Sequence, residues 1–270
     1  RDLHSFPTRR SSDLVARVVD NGDANAGDTL TNTVSLDVEP AGAPAFDTQT
    51  TTAEVTVVEP AVTIDKTGPV ALDAGGPPGT FTIEVTNDGV PGAEGPAYDL
   101  DISDTLPTGM TLDTGTLTFE MPDGMTIVPE DVTATSDGFT AEFPVLLPGE
   151  TIVVTYEASL DAGQPPLTTY ENTASADFFS VPEDLLDEDG NPVARDYAPV
   201  TDTHTVATAP TLEKSAIETG FAETAENADG DSFTDLAIGE TVTYELVLTL
   251  PEIGMESVVQ IGRASCRERV

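Results

Sequence analysis

The sequence lacks the residues on which most enzyme sites depend. It has no tryptophan, five tyrosines, two histidines and one cysteine, Cys266, among 270 residues. One cysteine cannot form an internal disulfide, and so few histidines and cysteines cannot supply a metal cluster. No serine lies in a G-x-S-x-G motif, and no aromatic-rich cleft for a sugar is indicated, although paired carboxylates are plentiful. We therefore do not expect an enzyme acting on a separate substrate.

Positive charge is the second shortage. There are ten lysine and arginine residues against 49 acids, for a formal net charge of −39. Nucleic acids and anionic membranes are bound largely through Lys and Arg, so we expect neither as a partner. Such a charge would also suit a disordered chain, but apolar residues are patterned throughout. No apolar run approaches the roughly 18 residues of a membrane helix, and the composition is typical of a secreted, extracellular protein.

Both ends of the sequence are interpreted as translated sequencing adapter. Residues 1–14 (RDLHSFPTRRSSDL) match the translation of one strand of a common short-read adapter. Residues 260–270, which end in IGRASCRERV, match the translation of its reverse complement. Two unrelated natural tails would not encode one oligonucleotide on opposite strands. Residues 15–259 are thus expected to be a fragment whose signal and anchor are missing. This fragment has no cysteine, 46 acids and only four bases: Arg17, Lys66, Arg195 and Lys214.

Short alternating runs bounded by turn residues predict an all-β fold of the immunoglobulin-like sandwich type. Apolar and polar residues alternate in strands, whereas helices need a period of 3.6, which is absent here. Predicted strands cover 30–38, 53–57, 62–66, 81–85, 98–104, 117–121, 139–144, 152–160, 170–178 and 200–206. The alternation in the run from Phe139 falls out of phase at Pro144.

The chain also repeats itself. The matching segments are TLTNTVSLDV (29–38) with TTYENTASADF (168–178), VTIDKT (62–67) with PTLEKS (210–215), and GTFTIEVT (79–86) with GETVTYELVL (239–248). We predict the C-terminal part of a first repeat at 15–59, a complete repeat at 60–208 and the N-terminal part of a third at 209–259. Head-to-tail sandwich repeats form an extended stalk, in which neighbouring repeats are each other's partners.

Three polar side chains of the complete repeat fall on apolar strand faces. Lys66 shares a face with Val62 and Ile64, and strand parity also turns Asp104 and Asn172 inward. An inward lysine is unfavourable unless it has a partner or loses its charge. In the partial repeats the equivalent positions are Lys214 and Asn32, which are orphans because their partners would lie outside the fragment.

Three motifs of the complete repeat resemble those of repeat domains in bacterial surface proteins. They are a lysine in the first strand, D-x-L-P at the end of a middle strand (Asp104–Pro107) and Asn-Thr-Ala in a late strand (Asn172–Ala174). More narrowly, the pattern is similar to isopeptide-forming fimbrial and Cna-type adhesin domains. This resemblance implies Cna-like sandwich repeats, a cell-surface location and a Lys66–Asn172 isopeptide bond assisted by Asp104. A protonated Asp104 would donate a hydrogen bond to the Asn172 carbonyl and so polarise it for attack by a neutral Lys66 amine. The only catalysis expected is this autocatalytic step.

Two other interpretations of the lysine stay open at this point. One is a buried Lys–Asp ion pair with a hydrogen-bonded asparagine nearby. The other is a lysine at a strand end whose amine reaches solvent. Function likewise has two candidates. The favoured one is a structural stalk repeat of a large surface or fimbrial protein. The alternative is an adhesin module that binds a host protein, a matrix component or a glycan.

No cofactor is indicated, with calcium as a weak candidate. Acidic, glycine-containing loops at 184–196 and 227–235 place carboxylates close together, and Ca²⁺ prefers oxygen ligands. The four candidate ligands are Asp187, Asp189, Asp229 and Asp231. None of these loops has the spacing of an EF-hand, so solvated turns are the favoured interpretation.

Overall fold

The computed structural model describes residues 15–18, 24–37, 47–90, 93–122, 124–166, 168–220 and 237–249. Within these ranges the regular structure is all strand, which confirms the predicted all-β class. The strands are β1 (Thr29–Leu36), β2 (Gln49–Thr56), β3 (Val62–Thr67), β4 (Ala71–Leu72), β5 (Gly79–Asn87), β6 (Ala97–Thr105), β7 (Met110–Glu120), β8 (Asp131–Thr135), β9 (Gly138–Leu146), β10 (Thr151–Leu160), β11 (Thr169–Phe179), β12 (Val200–Thr208), β13 (Thr211–Thr219) and β14 (Val242–Thr249). None of the residues in these ranges belongs to a helix long and apolar enough to cross a membrane.

Strands β3 to β12 build a sandwich of two sheets. One sheet has the order β3-β5-β10-β7 and the other the order β4-β12-β11-β6-β9-β8. Neighbouring strands are antiparallel except for the short β4, which runs parallel to β12. Because side chains alternate across a strand, each sheet turns one apolar face to the other. Strand β10 follows this rule strictly, with every second residue from Ile152 to Leu160 buried.

The core lies between the two sheets and is fully closed. Its largest side chains without solvent exposure include Tyr156, Phe81, Phe143, Ile83 and Leu100. Phe119 of one sheet meets Phe139 and Phe143 of the other edge to face, at centroid distances of 6.3 and 5.7 Å. Such contacts fix the sheets face to face, so that polar side chains on the inner faces are enclosed with the core.

The phase break at Pro144 is confirmed and has a backbone cause. Phe139, Ala141 and Phe143 are buried, and the next buried residue is Leu146 rather than Val145. On the neighbouring strand β6, Asp99 adopts a positive φ of 46° and has no register partner in β9. Asp99 thus falls opposite Pro144, which has no N–H to donate, and the regular β6–β9 pairing is interrupted there. On the other side of β6, the register with β11 shifts between Asp177 and Phe179, which is where the bulge lies.

The partial repeats reproduce strand pairs of the complete one. Strand β1 pairs with β2 as β11 pairs with β12, with Asn32 opposite Ala53 and Asn172 opposite His204. Strand β13 pairs with β14 as β3 pairs with β5, and in both pairs the lysine lies opposite an aliphatic residue: Lys214 opposite Leu246 and Lys66 opposite Ile83. The repeat boundaries at 60 and 208 themselves stay a prediction.

The first hairpin is attached to the complete repeat through one of the few bases. Arg195 forms an ion pair with Glu59 and donates a second bond to the carbonyl oxygen of Ala24 at 2.7 Å. The amide of Ala26 donates to the Glu59 carboxylate at 3.1 Å. The 184–196 loop therefore contacts Ala24 and Glu59, the residues on either side of the β1–β2 hairpin, through polar bonds.

Candidate cross-linking site

Lys66, Asp104 and Asn172 meet inside the sandwich, although they are far apart in the chain. Strand β3 of one sheet carries Lys66, and strands β6 and β11 of the other carry Asp104 and Asn172. Their exposed fractions are 3%, 1% and 0%. The inward orientation that strand parity predicts is thus what the structure has, and the lysine amine does not reach solvent.

The lysine is held at both ends. Its ammonium group forms an ion pair with Oδ2 of Asp104 and donates to the Tyr156 hydroxyl at 3.1 Å. Its backbone amide donates to the carboxylate of Asp202 on β12 at 2.6 Å. The bond between the Lys66 amide and Asp202 joins β3, the edge strand of the four-stranded sheet, to β12 of the six-stranded sheet. The lysine side chain therefore enters the core from a fixed position.

Tyr156 is the fourth member of the site, and sequence reasoning missed it. Its hydroxyl donates to Oδ2 of Asp104 at 2.5 Å and accepts from Nδ2 of Asn172 at 2.8 Å. The ring stacks on Phe81 with centroids 5.3 Å apart and meets Phe139 at 5.8 Å. A signal was available, because a tyrosine in the middle of a fully apolar strand face needs a partner for its hydroxyl.

Burial controls the ionisation of the site. Desolvation lowers the pKa of Lys66, and the negative charge of Asp104 opposes that shift only in part. Desolvation also raises the pKa of Tyr156, and the neighbouring Asp104 charge raises it further. Burial therefore favours the neutral form of the Lys66 amine and the protonated form of the Tyr156 phenol. A neutral amine is the form of lysine that can attack a carbonyl carbon.

Asn172 differs from Asn87, the other fully buried asparagine of the described chain. Asn87 uses its whole amide, since Nδ2 donates to the carbonyl oxygens of Gly95 and Leu146 and Oδ1 accepts from the amide of Ala61. In Asn172 only Nδ2 is bonded, and Oδ1 is buried without a partner, as is Oδ1 of Asp104. Unpaired buried oxygens are unfavourable, so the Asn172 site is not built for structural hydrogen bonding alone.

The predicted hydrogen bond between Asp104 and the Asn172 carbonyl is not present. Oδ2 of Asp104 receives Lys66 and Tyr156, and the Tyr156 hydroxyl lies between the acid and the amide. The acid and the amide are linked through this hydroxyl rather than directly. The reason is geometric: both side chains come from the same sheet, and the tyrosine reaches between them from the opposite one.

Comparisons with known proteins yield structural neighbours only. No protein-family model matches the chain, and no curated protein matches its sequence. The chain is similar in structure to the collagen-binding subdomain of the Enterococcus faecalis surface protein ACE, at 18% identity and a TM-score of 0.37, over 54% of this chain and 96% of that one. It is also similar to BcpA, the major pilin subunit of Bacillus cereus, at 15% identity and a TM-score of 0.39, over 70% and 56%. A third is the RrgB pilus backbone of Streptococcus pneumoniae, at 15% identity and a TM-score of 0.39, over 54% and 47%.

The remaining predicted site residues lie elsewhere. Asn32 is on β1 and is exposed. The side chain of Lys214, on β13, lies outside the described residues, as do Asp229 and Asp231. In the 184–196 loop, Asp187 accepts from the backbone amides of Asp189 and Asn191 at 2.9 and 2.8 Å, which is how an acidic turn closes on itself. Nowhere in the described ranges do three or more Asp, Glu, His or Cys residues gather as a metal-ion site.

A row of acids on the outer face of the six-stranded sheet leads to a pH prediction. Asp101 of β6 lies opposite Asp177 of β11 and Glu142 of β9. Partial burial raises the pKa of Asp101, and the charges of Glu142 and Asp177 raise it further. The folded state thus binds the Asp101 proton more tightly than the unfolded chain, whose aspartates titrate near about 3.9. Its contribution to stability is fully present below that value and is lost as pH rises through the folded pKa.

Asp101→Asn should therefore stabilise the protein at neutral pH, by about 0.5–1 kcal/mol for removal of like-charge neighbours across the strands. The gain should shrink as pH falls to the titration range of aspartate. Urea unfolding midpoints at neutral pH and near pH 4 measure this, with the exposed Asp73→Asn as the charge-matched control. An equal change in both variants, or a gain that grows in acid, would contradict the prediction.

Proposed function

We propose that the chain is a structural stalk segment of a bacterial cell-surface or fimbrial protein, in which Lys66 and Asn172 form an intramolecular isopeptide bond. The observation that carries the proposal is the enclosed group of Lys66, Asp104, Tyr156 and Asn172. A buried amine is paired with an acid, and the amide nitrogen that would leave is held by the same hydroxyl that contacts the amine. The resemblance of the motifs around these residues to surface-protein repeats supports the same assignment.

The position of the bond suits a protein under tension. Lys66 lies on β3, the first strand of the complete repeat, and Asn172 lies on β11, the strand before its last. A covalent link between them would carry a pulling force directly across the sandwich. The roughly 100 residues between them would then be protected from extension, whatever the strength of the strand ladders. A chain whose interior lacks cysteine cannot obtain this protection from a disulfide.

The joint between repeats supports a stalk as well. Arg195, one of four bases outside the chain ends, is used to hold Glu59 and the carbonyl of Ala24. An arginine that holds residues on both sides of the β1–β2 hairpin limits bending between the repeats. Successive sandwiches connected in this way would keep a fixed orientation, as an extended stalk requires.

Ligand binding is the second candidate, and one feature favours it. A cavity of about 310 Å³ lies at the joint, among apolar residues that include Val57, Val58, Val181 and Leu185, beside Arg195. Cavities of this size accommodate small groups of a ligand. A module of this kind would bind a host protein or glycan there. Loss of binding by Leu185→Asp in a glycan and matrix-protein array would favour the adhesin, and absence of binding by the whole chain would favour the stalk.

The test of the stalk proposal is the intact mass of the purified full chain. Formation of the bond releases one ammonia, so the mass should be lower than the sequence mass by that amount. After denaturation, amine labelling should modify Lys214 and leave Lys66 unmodified. The Lys66→Arg variant should keep the full sequence mass, and Lys214→Arg, the matched control, should still lose ammonia. A full sequence mass together with labelling of both lysines would overturn the proposal.

A further inference from the structure

Starting from the proposed isopeptide bond, on which it rests, we propose that Tyr156 is a catalytic residue that carries the proton from the attacking lysine to the departing ammonia. Asp104, the acid expected from the sequence, contacts the lysine nitrogen but not the departing amide nitrogen, so it accounts only for removal of the proton from the lysine. The tyrosine hydroxyl is placed to complete it.

The proton balance of the reaction shows what is needed. The neutral Nζ of Lys66 attacks Cγ of Asn172, the Nζ–Cγ bond forms, and the Cγ–Nδ2 bond breaks. Nζ must lose one proton to become an amide nitrogen, and the departing NH₂ group must gain one to leave as ammonia. No oxidant, reductant or water is consumed. The only transfer that must be catalysed besides the attack itself is one proton from Nζ to Nδ2.

The Tyr156 hydroxyl contacts both nitrogens. Its oxygen is 3.1 Å from Nζ of Lys66 and 2.8 Å from Nδ2 of Asn172. Asp104 contacts Nζ through Oδ2, but its other oxygen has no partner and neither oxygen bonds to Nδ2. Among the side chains that the structure describes, the tyrosine is therefore the one that bridges the two reacting nitrogens. Heavy-atom distances of about 2.6–3.2 Å are what proton transfer requires.

The hydroxyl is also supplied with a proton. Its 2.5 Å bond to Oδ2 of Asp104 connects it to the acid that pairs with the lysine. The proton removed from Nζ can pass to the Asp104–Tyr156 pair while the phenol gives its own proton to Nδ2. Burial keeps the phenol protonated, since it raises the Tyr156 pKa. The tyrosine starts and ends the reaction neutral, as a carrier must.

The ring position does not depend on the hydroxyl, which makes the role testable. Tyr156 is fully buried on β10 and packs in parallel with Phe81 at 5.3 Å. Phenylalanine at this position keeps the stacked ring and removes only the oxygen. Tyr170 gives a matched control in the same repeat, because it is also buried, and its hydroxyl donates to Gln164 at 2.8 Å away from the reacting groups.

The experiment follows loss of ammonia with time after cell-free synthesis of the full chain, by intact mass, for wild type, Tyr156→Phe and Tyr170→Phe. We expect Tyr156→Phe to slow the reaction by about 10²-fold or more, the usual contribution of a positioned proton-transfer group, and Tyr170→Phe to leave it within about threefold. Near-ultraviolet circular dichroism checks that each variant is folded. Wild-type speed in folded Tyr156→Phe overturns the carrier role and leaves the cross-link standing. Failure of wild type itself to lose ammonia overturns both.

A second measurement covers a Tyr156→Phe chain that fails to fold. Site-specific 3-fluorotyrosine at position 156 keeps the hydroxyl and nearly the same size but makes the phenol a stronger acid. A hydroxyl that transfers a proton in the slow step should change the rate severalfold, whereas 3-fluorotyrosine at position 170 should not. An unchanged rate at position 156 would show that the tyrosine acts through packing alone, and it would overturn the proposal.

Discussion

Replacing Lys66 with methionine is expected to lower the thermal unfolding midpoint by about 10–20 °C. The bond to Asn172 would close a loop of roughly 100 residues, and restricting the unfolded chain in this way is worth about 4.7 kcal/mol. For a domain of about 150 residues, each kcal/mol shifts the midpoint by about 2–4 °C. Methionine keeps an unbranched apolar side chain in the core, so the loss of packing is small. The missing cross-link by itself accounts for a change of this size, and Asp104, left without its Lys66 partner, adds to it.

Calorimetry of the full chain measures this difference, with intact mass recorded on the same samples. Lys214→Met is the control, since it removes the other lysine of the sequence, which lies on β13 in a separate two-stranded sheet. Because β13 is not part of the sandwich formed by β3 to β12, the transition of that sandwich should stay within about 0.5 kcal/mol of wild type. A Lys66→Met midpoint equal to that of Lys214→Met would mean that no cross-link stabilises the wild-type repeat.

The sequence was sufficient to predict which way the key side chains face. Alternation along β3, β6 and β11 is strict near Lys66, Asp104 and Asn172, and a strand offers only two directions for a side chain. The rarity of lysine made Lys66 conspicuous in a chain with so few bases. Direction was therefore predictable from local pattern alone, and it is the part of the candidate site that needs no knowledge of how the sheets pack.

Tyr156 could not be placed in the same way, because its role depends on the stagger between the two sheets. Strand parity puts it inside, as it does Val154 and Ala158, but it does not say which residue of the opposite sheet lies above it. That is set by the register of β10 with β5 and β7 and by the packing of Phe81 and Phe139. The sequence also led us to expect a direct contact between Asp104 and Asn172, because it does not show that the Tyr156 hydroxyl lies between them.

Short or polar strands were the parts of the fold that the pattern did not reveal. Strand β8 lies at a sheet edge and is almost entirely exposed, so burial imposes no alternation on it. Strand β4 has two residues and exists only through its parallel pairing with β12. Both are defined by hydrogen bonds to a neighbour rather than by their own composition. Sequence patterning finds strands that build the core and overlooks those that only extend a sheet.

Asp104→Ala should be the most damaging single substitution at the site. It would prevent the proposed cross-link and in addition leaves Lys66 buried without its counter-ion, which typically costs about 3–5 kcal/mol. That cost has an upper bound, because the lysine can lose its proton instead. Deprotonation at neutral pH of a group whose ordinary pKa is 10.5 costs about 5 kcal/mol. Together with the lost cross-link, the total approaches the whole stability of a typical domain, about 5–15 kcal/mol.

The decisive comparison is with the double variant Lys66→Met/Asp104→Ala. It lacks the bond just as Asp104→Ala does, but it no longer contains an unpaired buried amine. We expect the double variant to be more stable than Asp104→Ala by about 3 kcal/mol or more in urea unfolding, so that a second substitution restores stability. The exposed Asp73→Ala serves as the control for loss of one acid. A double variant no more stable than Asp104→Ala would mean that Lys66 does not depend on Asp104 for its charge, and that the acid contributes to the repeat through the cross-linking reaction alone.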